Sequence, residues 1–359
     1  MSLPDQFRKF PSHWKVLPFS QAVRDATSGN EKIQKGEYLD SGDFPVVDQG
    51  QSLYGGFTNN HDSICKSELP TIVFGDHTRA FKYIEEPFAL GADGAKVLEP
   101  LVQLDKKFLF HYLKQLRIEA AGYSRHFKFL KQAYVPVPSL HEQKRIATIL
   151  DKADAIRRKR QQAIQLADEF LRAVFLDMFG DPVTNPMGWE VKPLGDVIKL
   201  SSGNGLAAKE MDLNGSYPVY GGNGVNGRHS EYMFKDPKLV IGRVGAYCGA
   251  IHITEPFSWI TDNALYVKEC LQDVNMHYLA QLLDISNLNQ YAGKAAQPLV
   301  SGSRIYPLEM MFPPVKAQFE FESIKARYIA TNKAFDKEQI EVNDLLLSLS
   351  QKAFLGELF

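Results

Sequence analysis

The sequence repeats itself, and this duplication constrains the fold more than any other feature. Matched motifs return in the same order, 166 residues apart at Tyr112 and Tyr278 and 179 apart at Phe175 and Phe354. This period is far above the roughly 20–50 residues of a solenoid repeat. We therefore predict a two-fold duplication of a whole globular domain followed by a helix. The matched pairs are Trp14–Pro18 with Trp189–Pro193, Phe44–Val47 with Tyr217–Tyr220, Ile72–Gly75 with Leu239–Gly242, Glu86–Phe88 with Glu255–Phe257, Tyr112–Leu116 with Tyr278–Leu282, and Phe175-Leu176 with Phe354-Leu355.

Composition narrows the class of protein. With 44% hydrophobic and 11% aromatic residues, the 359-residue chain can bury two or more cores and is not a charge-driven disordered chain. A net charge of -1 excludes a highly basic arm. No apolar run reaches the roughly 20 residues of a membrane span, and the N-terminus lacks the basic-then-apolar order of a signal peptide. Cys65, Cys248 and Cys270 are too few and too scattered for a disulfide framework or zinc cluster, so we expect a reducing, cytoplasmic setting.

Within each half, short strands and a helix predict an α+β domain. Apolar, β-branched runs bounded by Pro and Gly indicate strands, Gly-rich stretches indicate loops, and apolar residues at helical spacing indicate a late helix. The predicted strands are Leu69–Phe74 and Lys238–Ile241, the loops Gly50–Gly56 and Gly221–Gly227, and the helices Asp105–Arg117 and Val274–Asp284.

Each half ends in a long helix. Ser139 and Glu142 form a capping-box pattern, and Gly180 before Asp181-Pro182 ends the first helix. Apolar residues at alternating three- and four-residue steps predict a coiled-coil seam on both helices. In the first helix the seam is Ile146, Ile149, Ala153, Ile156, Ala163, Ala167, Phe170 and Val174, interrupted by Arg160; in the second it is Phe321, Ile324, Tyr328, Phe335, Val342, Leu345 and Leu349, interrupted by Thr331 and Glu338.

The two helices carry opposite charge. Residues 143–160 hold seven basic residues against Asp151 and Asp154, whereas residues 318–359 hold five basic and seven acidic residues. The opposite charges predict an intramolecular pair of helices. The duplication predicts that the pair is antiparallel, because a pseudo-two-fold axis would exchange the halves and put one domain at each end; the alternative is that each helix packs only on its own domain. The run Arg157, Arg158, Lys159 and Arg160 is either a solvated helix face or a stripe that docks a partner or faces phosphate.

Motifs of catalysis are missing from the sequence. It contains no G-x-x-x-x-G-K-[ST] phosphate loop, no H-E-x-x-H helix and no G-x-S-x-G elbow. Asp76-His77 and Asp93 suggest an acid or a metal ligand, but the matching positions Arg243-Val244 and Asp262 do not keep the pair. We therefore predict structural or ligand-contacting roles there, with no catalytic residue and no metal site.

The segment from Pro138 to Asp154 resembles the central region of Type I restriction–modification specificity subunits. The resemblance continues through Arg157–Arg160, Phe175–Pro182 and Trp189-Glu-Val, and Gly75–Lys82 resembles one class of their target-recognition domains. The second helix keeps Pro313-Pro314-Val315 and Gln318 but lacks the Glu-Gln-Lys-Arg run. The implied plan is residues 1–138 for the first target-recognition domain, 139–180 for the central spacer helix, 181–312 for the second domain and 313–359 for the C-terminal spacer helix.

The resemblance implies a non-catalytic subunit that reads double-stranded DNA, one half of a split, asymmetric site per domain. The helices would set the gap and dock two methyltransferase subunits, with restriction/translocase subunits joining them. S-adenosylmethionine, ATP and Mg would belong to those partners, and no cofactor to this chain. A helix of about 36 residues is roughly 54 Å long, or at most about 16 base pairs. The competing hypothesis is a structural adaptor that carries two ligand-binding modules on a coiled coil and binds no nucleic acid.

Base reading needs Arg or Lys for guanine, Asn or Gln for adenine, and adaptable Tyr, Ser or Thr on exposed loops. Any one such residue is otherwise an ordinary polar surface residue, but clusters in matching places of both halves favour a site. The candidates are Gln49, Gln51, Tyr54, His77, Arg79, Lys82, Tyr123, Arg125, His126 and Lys128 in the first domain, and Asn223, Asn226, Arg228, Arg243, Tyr247, Lys294, Gln297, Ser301, Ser303 and Arg304 in the second.

Overall fold

The computed structural model describes residues 10–92, 94–118, 125–212, 214–293 and 299–358, without the side chains of Ala246 and residues 332–337. Its contacts divide the chain into two compact units. Unit 1 comprises residues 1–160 and 338–359, and unit 2 comprises residues 161–337. Each unit therefore combines one globular domain with parts of both long helices.

The first domain is built from three small sheets. The sheet orders are β1-β10, β2-β9-β6-β7 and β3-β8-β4-β5, and β3 and β4 both run parallel to β8. Short 3-10 turns lie at Lys35–Glu37 and His61–Ser63. The strands are β1 Lys15–Pro18, β2 Val23–Asp25, β3 Lys32–Ile33, β4 Phe44–Val47, β5 Gly56–Thr58, β6 Thr71–Gly75, β7 Phe81–Ile84, β8 Ala89–Gly91, β9 Ala95–Pro100 and β10 Tyr134–Val137, and the helices are α1 Phe19–Ala22, α2 Lys106–Gln115 and α3 Phe127–Leu130.

The second domain, built on the same plan, follows the long helix α4 (Leu140–Phe179). Its sheet orders are β11-β19, β12-β18-β15-β16 and β14-β13-β17. The strands are β11 Glu190–Pro193, β12 Ile198–Ser202, β13 Tyr217–Gly221, β14 Gly224–His229, β15 Leu239–Gly242, β16 Ile251–Ile253, β17 Trp259–Ile260, β18 Ala264–Cys270 and β19 Glu309–Phe312, and the helices are α5 Leu194–Val197, α6 Met276–Ile285 and α7 Gly302–Ile305, with 3-10 turns at Ala208–Glu210, Gly245–Tyr247 and Leu288–Tyr291.

The sheet orders show that the duplication seen in the sequence is a duplication of the fold. Sheet β1-β10 corresponds to β11-β19, and sheet β2-β9-β6-β7 corresponds to β12-β18-β15-β16, strand by strand. The third sheet of the second domain, β14-β13-β17, has no counterpart of β3 among the described residues. In both domains the tyrosine of the late helix donates its hydroxyl hydrogen to the closing strand. Tyr112 bonds the Tyr134 carbonyl, and Tyr278 bonds the Met311 carbonyl at 2.9 Å. The predicted α+β class is confirmed.

Helix α4 begins and ends where its sequence predicts. The Ser139 amide donates to Glu142 Oε2 at 3.1 Å, and the Glu142 amide donates to Ser139 Oγ at 3.3 Å, which is a capping box. Gly180 follows the helix with a φ of 81°, a left-handed conformation that favours glycine at this position. Helix α8 spans Val315–Leu355, 41 residues against 40 in α4.

Within each unit the two long helices run antiparallel, as predicted. In unit 1, Ile146 and Leu150 of α4 share a core with Ala353 and Phe354 of α8. In unit 2, the Phe175 ring lies 5.3 Å from the Phe321 ring, centroid to centroid. Two further contacts between the helices agree with this direction: Arg160 pairs with Glu338 in unit 1, and Asp168 accepts the hydroxyl hydrogen of Tyr328 in unit 2.

The predicted seam is wrong in detail. Ile156, Phe170 and Leu345 are 52%, 61% and 58% exposed, respectively. The buried side chains cluster near the helix ends, where each helix packs on a globular domain, because the domain cores select the buried face there. On α4 these buried residues are Gln143, Ile146, Ala147, Leu150, Asp154, Leu171, Phe175 and Phe179.

The sequence predicts a loop for the Gly-rich stretch 221–227, and this prediction is wrong, because the stretch forms a β-hairpin. Strand β13 pairs with β14 through the turn at Gly221 and Gly224, with a register shift after Val219. The side chain of Asn226 occupies the space where a Cβ on Gly221 would lie. Across the described ranges, no helix combines the length and apolar character that a membrane crossing requires.

Candidate nucleic-acid interface

Three separate segments meet on one surface of the first domain. They are the Gly-rich segment (residues 48–56), the β6–β7 turn (76–80) and the segment 125–128. The Thr78 hydroxyl donates to the Gln49 carbonyl, the His77 amide donates to Gln49 Oε1 at 3.3 Å, and Gln51 Nε2 donates to the Thr78 carbonyl at 3.4 Å. Gly75 allows this approach, since a Cβ there would lie 2.6 Å from the Gln49 carbonyl oxygen. The first two segments therefore form one rigid edge.

Asp76 joins the turn to the third segment. Its side chain is buried, and its Oδ1 accepts the Phe127 amide hydrogen at 2.7 Å. Its carbonyl accepts from the His126 amide at 2.9 Å. Asp76 is thus structural, in agreement with the role the sequence favoured over acid catalysis.

Exposed cationic and polar side chains project from this joined surface. His77, Arg79, Arg125 and Lys128 are exposed. Arg79 adopts a φ of 62° and donates from Nη1 to the Ile118 carbonyl at 2.9 Å, so its guanidinium is already oriented. The planar guanidinium of an arginine presents the pair of donors that suits guanine, whereas the flexible ammonium of a lysine does not.

Two further lysines belong to this surface, although no sequence pattern indicates them. Lys96 Nζ lies 5.3 Å from the centroid of the Phe127 ring, and Lys131 Nζ lies 4.9 Å from it. Lys96 also pairs with Asp25 at 2.9 Å. Neither lysine lies in a motif; only the fold brings them to the same aromatic ring, beside the exposed Lys128.

Tyr54 has a hydroxyl that is already engaged. It donates to Glu86, and burial followed by this hydrogen bond raises the Tyr54 pKa to about 12. The side chain is half-buried and packs against the core formed by residues such as Val47 and Val73.

Lys82 and His126 correct the expectation that every candidate lies on an exposed loop. Both are buried, at 4% and 2% exposure. Lys82 Nζ donates to the Asp48 carbonyl at 2.7 Å, and Nδ1 of His126 hydrogen-bonds the Asp76 carbonyl at 2.9 Å. Lys82 is buried because it follows Phe81 in strand β7, where alternate side chains point inward. Neither side chain is placed to reach a base.

The second domain brings together the corresponding segments. A Cβ on Gly242 would lie 2.5 Å from the Gly222 carbonyl oxygen, which repeats the relationship of Gly75 to Gln49. The Val300 amide donates to the Arg243 carbonyl at 2.9 Å, and Val244 forms a β-bridge with Leu299. The β13–β14 hairpin, the end of β15 and the segment 299–304 are therefore neighbours.

The candidate residues of the second domain differ in how exposed their side chains are and in whether those side chains already have hydrogen-bond partners. Asn223, Ser303 and Arg304 are exposed, and Tyr247 is 55% exposed. Ser301 Oγ lies 3.0 Å from Ser303 Oγ. The side chains of the remaining three are already engaged within the domain: Arg228 donates to the Gly215 carbonyl at 2.6 Å and to the Ser216 carbonyl, Arg243 Nη1 donates to Ser202 Oγ at 3.2 Å, and Asn226 packs against Gly221.

Three of the four basic side chains in the α4 run form intramolecular ion pairs, but with only two carboxylates, so the run keeps a positive charge. Asp154 is buried and accepts from Arg157 at 3.0 Å and from Arg158 at 2.7 Å. Burial opposes ionisation, but Lys114 and these two arginines outweigh it and lower the Asp154 pKa. Arg160 pairs with Glu338, and Lys159 is exposed.

Three of the predicted site residues lie outside the described residues: Tyr123, Lys294 and Gln297. Within the described ranges, no group of three or more His, Cys, Asp or Glu side chains is arranged to hold a metal ion.

Comparison with known proteins assigns the family. A family model described as "Type I restriction modification DNA specificity domain" matches residues 20–166 and again residues 186–343. The chain belongs to this family. The double match confirms the resemblance that the helix motifs carry, and the two matched ranges follow the duplication of the fold.

The similarity to curated relatives covers only part of the length of each relative. The chain is 29% identical over 141 residues to the Type I restriction enzyme EcoprrI specificity subunit of Escherichia coli, which covers 38% of this chain and 35% of that protein. It is 23% identical over 279 residues to the StySPI specificity subunit of Salmonella potsdam, which covers 62% of this chain and 57% of that protein. The chain thus spans about a third to just over half of these relatives.

A solved structure shares the whole fold. The crystal structure of a Type I restriction–modification system S subunit from M. genitalium superposes with a TM-score of 0.65 at 18% identity, covering 99% of this chain and 98% of that chain. At this identity the similarity establishes the fold, including the duplicated domain-and-helix plan.

Proposed function

We propose that this chain is the sequence-specific DNA-binding subunit of a Type I restriction–modification complex. The observation that carries the proposal is the repeated surface: in both domains a glycine at the end of the equivalent strand lets that strand approach the Gly-rich segment, and the carbonyl of the next residue, Asp76 or Arg243, accepts a hydrogen bond from a third segment. Exposed Arg, Asn, Gln, Ser or Tyr side chains lie on these segments. Such side chains read base edges, and the membership of the chain in a DNA specificity family supports this use.

Each domain reads one half of a split DNA site in this proposal. The two surfaces are built alike but carry different side chains, such as Gln49 in one and Gly222 in the other. Different readers imply different half-sites, so the complete site is asymmetric. The paired helices act as the spacer that sets the unread gap.

Partner subunits supply the chemistry in this proposal. The chain itself is non-catalytic and cytoplasmic, associates with the nucleoid when bound to DNA, and docks two methyltransferase subunits and then restriction/translocase subunits through its helices. S-adenosylmethionine, ATP and Mg belong to those partners. The exposed apolar side chains Ile156 and Phe170 on α4, and Leu345 on α8, favour the helices as the docking surface.

The test is to co-express the chain with its methyltransferase and to map modified adenines across genomic DNA. A split, asymmetric motif is expected. Exchange of one globular domain should change one half of that motif only. No motif, together with no salt-dependent DNA binding by the complex, would favour the structural adaptor instead.

A further inference from the structure

Two basic side chains occupy equivalent positions beneath the two Gly-rich segments. In the first domain Val73 of β6 pairs with Lys82 of β7. In the second, Val240 of β15 pairs with His252 of β16. Val73 and Val240 are matched in the repeat, so Lys82 and His252 stand at the same place on the same edge strand.

Lys82 holds the Gly-rich segment of the first domain from inside. Its Nζ donates to the Asp48 carbonyl at 2.7 Å and lies 3.4 Å from Asp48 Oδ1. Asp48 Oδ1 in turn accepts the Gly50 amide hydrogen at 2.8 Å, and a Cβ on Gly55 would lie 2.6 Å from Asp48 Oδ2. The segment is therefore wrapped around the Asp48 carboxylate, which Lys82 neutralises.

His252 holds the hairpin of the second domain in the corresponding way. Its ring lies against Gly224, whose Cβ would be 3.4 Å from His252 Cε1. Burial lowers the His252 pKa, against the opposing effects of Asp284 and of the backbone of Gly222, the residue whose carbonyl packs on Gly242. Nε2 of His252 is buried and has no protein partner among the described residues.

We propose that Lys82 and His252 are positioning residues, each of which fixes the Gly-rich segment of its domain in the conformation that reads DNA. They act through the backbone of that segment and do not contact bases. The inference rests on the proposed function, because the segments are taken to be parts of the reading surfaces. A hydrogen-bonded polar side chain in the interior fixes one conformation among several, and Lys82 meets that description. His252 is half-buried and acts through the contact of its ring with the hairpin.

The experiment uses the complete complex with its methyltransferase and three duplexes: the cognate site, one altered in the half read by the first domain, and one altered in the other half. Exchange of the first domain identifies which half is which. For Lys82→Met we expect a roughly tenfold loss of discrimination at the first half-site, the effect of about one hydrogen bond, and no change at the second. Lys82→Arg should restore discrimination, because it keeps a cationic donor.

A matched control separates positioning from general stability. Lys106 Nζ also donates to a backbone carbonyl, that of Glu68 at 2.7 Å, but before the start of β6 rather than at the reading end. Lys106→Met should leave discrimination unchanged at both half-sites. His252→Phe should relax the second half-site alone, and His252→Gln should restore it.

The outcomes distinguish the two levels of the proposal. A wild-type complex with a split motif, combined with variants that lose methylation equally on all three duplexes, overturns the positioning role alone. A wild-type complex without a split motif overturns the proposed function as well. Hydrogen exchange of the free chain adds a DNA-independent readout: Lys82→Met should speed exchange at Gly50 and Gly55, and unchanged exchange there overturns the inference for the first domain.

Discussion

Arg160 of α4 forms an ion pair with Glu338 of α8. Each of these residues interrupts the apolar pattern of its own helix, and each lies in unit 1. The two interruptions therefore compensate one another. This ion pair shows how the opposite charges of the two helices can contribute to their pairing. A polar pair at one level of two packed helices favours one register over shifted ones.

The pair should couple weakly but measurably. Arg160→Glu and Glu338→Arg should each lower the free energy of unfolding of unit 1, and the double reversal should recover most of the loss. The side chains are 35% and 48% exposed, so we expect a coupling energy below about 1 kcal/mol. Urea unfolding at low and at about 1 M salt measures it; a coupling that persists undiminished at high salt would contradict an exposed ion pair.

Gln143 and Gln318 are buried equivalents at the start of the two long helices. Gln143 Oε1 accepts the Asp105 amide hydrogen at 2.6 Å and its Nε2 donates to the Pro138 carbonyl at 2.9 Å. Gln318 repeats both bonds, to Asn275 at 2.8 Å and to Pro313 at 2.8 Å. Each glutamine thus ties its helix to the proline that follows the closing strand and to the N-cap of the late helix.

We predict that Gln143→Leu destabilises unit 1 by about 1–3 kcal/mol, because buried backbone groups lose their partners. Exchange of the Asp105 amide should accelerate, whereas that of Asn275 should not. Gln318→Leu is the matched variant and should show the reverse. Equal acceleration at both amides in either variant would refute this local role.

Glu142 should make the start of α4 sensitive to acid. Burial opposes ionisation, but hydrogen bonds from Ser139, His13 and Trp14 outweigh it and lower the Glu142 pKa to about 2, from 4.5. A lowered carboxyl pKa stabilises the fold fully above 4.5, and this contribution is lost as the pH falls from 4.5 towards 2.

Glu142→Gln should therefore cost stability at pH 6, on the order of 1 kcal/mol for a helix cap, and much less at pH 3. Urea unfolding across this range measures the difference. Glu169→Gln, on an exposed part of the same helix, is the control. A cost for Glu142→Gln that stays constant down to pH 3 would rule out the linkage.

Lys325 should make the stability of unit 2 depend on pH in the alkaline range. Burial lowers its pKa to about 8, against the attraction of Asp284, and its Nζ donates to Gln281 Oε1 at 3.0 Å. Between pH 8 and 10.5 the unfolded chain binds the proton that the folded chain has released, so stability rises with pH there. Lys325→Met should abolish this rise, whereas Lys316→Met on an exposed position should keep it. Unfolding of unit 2 followed from pH 7 to 10.5 decides, and a rise retained in Lys325→Met would disprove the assignment.

Arg79 and Arg304 should contribute to DNA selectivity rather than to general affinity. We expect Arg79→Asn, chosen because Asn tolerates the left-handed backbone of Arg79, to weaken binding of the complex to cognate DNA by about 1–3 kcal/mol and to random duplex much less. Arg304→Gln should do the same for the other half-site. Equal losses on both duplexes, measured by salt titration, would make these residues phosphate contacts.

The sequence predicts the features that depend on local chemistry. The capping box at Ser139 and the stop at Gly180 follow from side-chain and backbone preferences within a few residues, and both are present. The exposure of Ile156 could not be predicted in this way, because a helical pattern does not reveal how far the partner surface extends. The prediction of an exposed position for Lys82 is wrong, although the alternation of β7 places Lys82 on the same face as the buried Ile84.

The candidate site was predictable as segments, but not as a surface. Sequence spacing does not bring Gln49, Thr78 and His126 together; the buried Asp76 and the missing Cβ of Gly75 do. Likewise Lys96 and Lys131 flank Phe127 only after β9 and α3 have packed.

The division of α8 between the units also has a consequence for how the protein is made. Ala353 and Phe354 complete the core around Phe108 and Tyr112, about 240 residues after those side chains leave the ribosome. Unit 2 is one continuous stretch of chain, whereas unit 1 is assembled from two distant ones. The second domain can thus fold from a single stretch of chain, whereas the first domain, although synthesised earlier, keeps an apolar face uncovered until Ala353 and Phe354 have been added.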